Sequence, residues 1–187
     1  MAWRFSQPGG GRWRAAAPGR RAFSLLELLV VIGIIAMLIA MLLVALRRAR
    51  TAAQSINCIS NLHQIATGLR MFANDNGNRF PDPGALEVSW ESTIRKYLQN
   101  SKVFECPGDE ELCPTAGSSY DWRDTSVPET TLAGRSMTDV RRQDLVLAFE
   151  ALPGWHFKKK MNVSRIDGSC CTMDDQEAVG DLLKPVQ

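Results

Sequence analysis

The chain has 187 residues, a formal net charge of +2 and a pI of about 8.3. That length suits one modest domain plus an anchor, and the bulk charge demands no nucleic-acid partner. Five arginines and no acid precede Phe23, which leaves 17 basic against 20 acidic residues, net −3, from there onward. A DNA-binding arm is the other reading of this basic tail, but the tail runs straight into an apolar segment.

From Phe23 to Leu46 the chain reads FSLLELLVVIGIIAMLIAMLLVAL, with Glu27 its one charge. At 1.5 Å per residue this predicts a helix of roughly 36 Å, enough for a bilayer core of about 30 Å. A buried core helix rarely runs this long without polar residues. A secretory signal peptide has a shorter apolar region and a small-residue cleavage site, whereas here Arg47, Arg48 and Arg50 follow. The five arginines before the segment favour a cytoplasmic N-terminus. Glu27 is the informative residue, because a carboxylate in a membrane helix costs several kcal/mol and is by default a functional feature. Snorkelling to the interface is its bland alternative.

The string RRAFSLLELLVVIGIIAML closely resembles the N-terminal signature of type IV prepilins and of type II secretion pseudopilins. In that family a prepilin peptidase cuts before a phenylalanine on the cytoplasmic side and methylates the new amine, and a glutamate stands fifth in the mature chain. The resemblance implies a leader over residues 1–22, a cut between Ala22 and Phe23, N-methylation of Phe23, and an assembly role for Glu27. The family usually has glycine before the cut; this chain has Ala22. The implied partners are the prepilin peptidase, other pilin-like subunits met through the N-terminal helix, and the inner membrane.

Beyond the membrane segment, Ala49, Ala52, Ile56, Ile59, Leu62, Ile65, Leu69 and Phe72 recur at steps of three or four, which predicts an amphipathic continuation over residues 47–73. Asn74 to Asn78, then Pro81 and Pro83, should end it. The stretch from Cys58 to Pro81, together with Cys106-Pro107 and Ser119-Tyr120, resembles a large group of bacterial prepilin-like proteins. That group often carries a histidine, nine residues, then Asp-Gly; here His156 precedes Asp167-Gly168 with ten between, a degenerate copy.

Residues 74–187 are expected to form an extracytoplasmic head. The pattern predicts a short helix from Trp90 to Leu98 and strands over Lys102–Cys106, Ser119–Trp122, Asp144–Glu150, Asn162–Ile166 and Ser169–Met173, with Asp167-Gly168 as a hairpin turn. Residues 107–115 and 125–142 read as loops. The expected fold is α+β: a long helical spine, transmembrane in its first half, packed against a small antiparallel sheet, as in pilins.

No catalytic set emerges, and no cofactor, metal or nucleic acid is expected. Cysteines 58, 106, 113, 170 and 171 are odd in number, so at least one is unpaired in a monomer. A disulfide between Cys106 and Cys113, or from Cys58 into the head, is favoured. Zinc sets drawn from Cys58 with His63, or Cys106 and Cys113 with Cys170-Cys171, fit no common finger spacing. Asp174, Asp175 and Asp181 lie where some major pseudopilins hold calcium, although acids in a tail are ordinarily a solvated surface. The sequence thus points to a structural subunit of a pilus or secretion pseudopilus. The alternative is a single-pass tethered binding protein that does not polymerise.

Overall fold

A computed structural model describes residues 23–84 and 89–186. The chain divides into two compact units, residues 1–43 and 44–187. In the first, the described residues are the N-terminal part of helix α1 (Leu25–Asp75) and the two residues before it. Ser24 opens the helix, its carbonyl accepting the Leu28 N–H at 3.2 Å. Phe23 and the large apolar side chains from Leu25 onward are solvent-exposed in this unit.

The second unit contains the rest of α1 and an antiparallel meander of four strands in the order β1-β2-β3-β4. These are β1 (Tyr120–Trp122), β2 (Val146–Glu150), β3 (Lys160–Arg165) and β4 (Cys170–Asp174). Three short helices complete it: α2 (Trp90–Ile94), α3 (Leu112–Ala116) and α4 (Asp175–Leu182). Within this unit α1 contributes Cys58, Leu62, Ile65, Ala66, Leu69 and Ala73 to the main core, against Phe80, Ile94, Phe104, Trp122, Leu145 and Leu147. A smaller cluster of Val146, Met161, Val163, Met173 and Ala178 lies where α4 packs on β2, β3 and β4. The sheet is thus covered on both faces, which is why β2 is a nearly unbroken buried run.

The local causes are legible. Helix α1 stops where Gly77 and Asn78 both take positive φ (65° and 64°), the left-handed ending that glycine and asparagine tolerate. The β3–β4 turn is closed by Arg165 N–H on Ser169 O at 2.8 Å and Ser169 N–H on Asp167 Oδ1 at 2.8 Å. Gly168 sits there at φ 92°. Asp174 caps α4 through the Gln176 N–H.

Three expectations are corrected. Lys102–Cys106 is not a strand: Asn100 caps a 3₁₀ turn over Ser101–Phe104 by accepting the Lys102 N–H at 2.9 Å. The segment after Pro107 is not all loop, because Asp109 gathers the N–H groups of Glu111, Leu112 and Cys113 at 2.7–3.0 Å and starts α3. The buried stripe of α1 also begins differently. Ser55 and Cys58 face inward, whereas Ala49, Ala52 and Ile56 are exposed.

One irregularity decides which way the end of β2 faces. The β2–β3 register shifts between Val146 and Ala148, and Leu147 and Ala148 both belong to the core on the α1 side. Strict alternation would turn Leu147 and Phe149 to one face and Ala148 and Glu150 to the other. The shift instead brings Glu150 to the face that carries Cys58.

Candidate functional site

Two places in the chain gather chemically distinctive residues. The first is the start of α1. Glu27 lies in its first turn, one turn from Phe23, at the end of a helix that bears partial positive charge. No other charge occurs between Phe23 and Arg47. The apolar stretch is long enough to cross a membrane and none of its strongly apolar span is buried. Such a surface has to be covered by lipid or by other helices.

The second place is inside the head. Cys58 from α1, Cys106 after the 3₁₀ turn, Glu150 at the end of β2 and His156 from the β2–β3 loop are all buried, and one ligand atom from each lies within 4.8 Å of the others. The sulfurs of Cys58 and Cys106 meet, with their Cα atoms 5.6 Å apart, a separation that suits a disulfide. His156 Nε2 is 3.1 Å from Cys58 Sγ, 3.2 Å from Cys106 Sγ and 3.3 Å from Glu150 Oε1. Each sulfur also receives a donor: the Tyr120 hydroxyl at 3.1 Å on Cys58 and the Gly108 N–H at 3.4 Å on Cys106. Burial pushes the Tyr120 phenol pKa upward, so it remains a donor. The Glu150 carboxylate accepts from Asn162 N–H at 2.8 Å and Asn162 Nδ2 at 3.0 Å. Packing sets the imidazole: a Cβ on Gly108 would stand 2.8 Å from its Cε1. Its Nδ1 has no partner among the described residues.

The prokaryotic N-terminal methylation motif matches residues 18–43. This chain carries a type IV prepilin-type signature. No curated protein and no solved structure matches it. The apolar helix and the motif together point to membrane anchoring, and the α+β architecture is pilin-like.

Within this signature Phe23 is exposed at the start of the described residues and Glu27 is exposed in the first turn of α1. Ala22, on the other side of the expected cut, lies outside the described residues. Of the three cysteines that are disulfide candidates by sequence, Cys58 and Cys106 are brought together. Cys113 is joined to neither, and its thiol lies 3.7 Å from Phe104 O. Neither zinc set drawn from the sequence is assembled: His63 is exposed on α1 while Cys58 is buried, and Cys170 and Cys171 sit half-buried on β4. Asp181 is not a solvated tail acid. It is buried, 3.4 Å from the guanidinium of the fully buried Arg123, and accepts the Val146 N–H at 2.8 Å.

Sequence patterning does not reveal Glu150, because its inward aim depends on the register shift in β2. The degenerate His…Asp-Gly motif does single out His156, but its partners come from three other segments. The one signal in the sequence is that a glutamate ends an otherwise apolar strand.

Proposed function

We propose that the chain is a structural, non-enzymatic pilin-like or pseudopilin subunit of a type IV pilus or type II secretion assembly. A prepilin peptidase cuts it between Ala22 and Phe23 and methylates Phe23. The observation that carries this reading is the motif over residues 18–43 with Glu27 in the first turn of α1. Cleavage there gives Phe23 a free amine at the helix N-terminus. Glu27 offsets that charge in its own chain and, in a filament, pairs with the Phe23 amine of a neighbouring subunit. In a dry environment such a pair fixes register, since removing one member strands the other. The exposed apolar stretch supplies lipid contact before assembly and helix–helix contact after it. Gly33, Ala36 and Ala40 are small enough for close approach. The basic leader places the N-terminus in the cytoplasm and the head outside.

Replacing Glu27 by Ala tests this in cells that carry the cognate assembly machine. The variant is expected to stay in the membrane and to be absent from the sheared filament fraction that contains the wild-type protein. Equal incorporation of the variant contradicts the proposed role of Glu27. A wild-type protein never released by shear, in cells whose control pilin is released, favours the tethered, non-polymerising reading.

A further inference from the structure

We infer that Cys58, Cys106, His156 and Glu150 form a structural binding site for one zinc-class divalent cation when the two cysteines are reduced. Four electron-rich atoms converge here on one point. The single Nε2 of His156 faces two sulfurs and a carboxylate oxygen at 3.1, 3.2 and 3.3 Å, and Glu150 Oε1 is 4.0 Å from Cys106 Sγ. One imidazole N–H can satisfy only one of those acceptors. A cation at their centre satisfies all of them. Tetrahedral zinc with bonds of about 2.0–2.3 Å to N, O and S sets neighbouring ligand atoms about 3.3–3.8 Å apart. The His156 distances are already close to that range, and the two sulfurs, which meet in this structure, must part to it once reduced.

The charges around the site favour the same occupant. Glu150 is 1% exposed and its only charge-bearing contact among the described residues is His156. Asn162 supplies Glu150 with two neutral donors, and a metal would add the cationic partner that a buried carboxylate favours. The two donors on the sulfurs, from Tyr120 and from the Gly108 N–H, are those a thiolate accepts more strongly than a disulfide sulfur does. Binding displaces the two thiol protons to solvent and leaves His156 neutral, with Nε2 as the ligand. No oxidation state changes. The disulfide and the metal-bound state exclude each other, because each uses the same sulfur electrons. Four protein ligands and full burial leave no open coordination position, so the ion is structural. It ties α1 to β2, to the loop that follows β2, and to the segment after the 3₁₀ turn.

The test uses the full-length protein in detergent, reduced with a phosphine and titrated with Co²⁺. One Co²⁺ per chain is expected, with thiolate-to-cobalt charge-transfer absorption and tetrahedral d–d bands that vanish on adding Zn²⁺. His156→Ala and Cys106→Ser should weaken binding at least about tenfold, while Cys113→Ser leaves it unchanged. Because ligand variants can lose the fold, the wild-type protein gives an independent reading. Zn²⁺ should raise the thermal midpoint of the reduced form and not of the disulfide form. Absence of thiolate bands in reduced, folded protein overturns the assignment. So does unchanged Co²⁺ binding by folded His156→Ala, or an equal Zn²⁺ effect on reduced and disulfide forms.

Discussion

Arg123 illustrates how single residues hold this head together. Its side chain is fully buried, and its guanidinium reaches Thr130 O at 2.8 Å, Asp181 O at 3.0 Å and Lys184 O at 2.6 Å besides the Asp181 carboxylate. Burial opposes the Asp181 charge, but Lys184, the Val146 N–H and Arg123 outweigh it and keep that carboxyl below the ordinary range. Asp181→Ala strands the buried guanidinium, and a loss of about 3–5 kcal/mol is expected in urea denaturation. Asp124 behaves oppositely. Partial burial, then the neighbouring Asp121 charge, push its carboxyl up to about 6 from 3.8. The folded state therefore holds its proton more tightly than the unfolded chain. Asp124 disfavours folding progressively as pH rises from about 4 to about 6, and by a constant amount above that. In thermal melts, Asp124→Asn should gain on the wild type across that window; a difference flat from pH 4 to 7 contradicts this.

At the scale of elements, the register shift in β2 and the capped turns decide where side chains go. Leu62, Ile65 and Leu69 of α1 are completely buried, so Leu62→Ala should cost about 2–5 kcal/mol in chemical denaturation through lost burial and a residual cavity. Gly168 takes φ 92°, a conformation L side chains rarely adopt, and a Cβ there would stand 2.8 Å from the Arg70 guanidinium. Gly168→Ala should destabilise by about 1–2 kcal/mol, measured the same way, although the flexible Arg70 side chain can move aside. Much of this layer is legible in the sequence. The long helix follows from its apolar run and periodicity, the strands from β-branched and apolar runs, and the last hairpin from Asp167-Gly168. What escapes depends on partners remote in sequence. Ser55 is drawn inward by Asn162, which it meets at 3.3 Å, and Cys58 by Tyr120 and His156, while hydropathy alone favours Ile56. Val103 and Phe104 have strand-like character, but the Asn100 cap and burial in the core hold them in a turn. A one-residue shift in a strand has no sequence mark, so the buried cluster around His156 shows in the sequence only as scattered cysteines and a histidine in a loop.

For the whole molecule, the exposed apolar stretch and the well-packed head pose different physical demands. The head satisfies its buried side-chain nitrogen and oxygen atoms internally, with Trp122 Nε1 and His156 Nδ1 as the exceptions among the described residues. The stretch from Phe23 to Leu46 has no internal cover and needs lipid or other helices against it. In the processing proposed above, the freed Phe23 amine is the charge that Glu27, in the first turn of α1, would meet. The decisive measurement is intact-mass and N-terminal analysis of the membrane-extracted protein after co-expression with a prepilin peptidase. A mature chain beginning at N-methylated Phe23 is predicted. A chain that still carries Arg20 and Arg21, under conditions where a control prepilin is cut, contradicts processing at Ala22–Phe23 and leaves a permanent anchor.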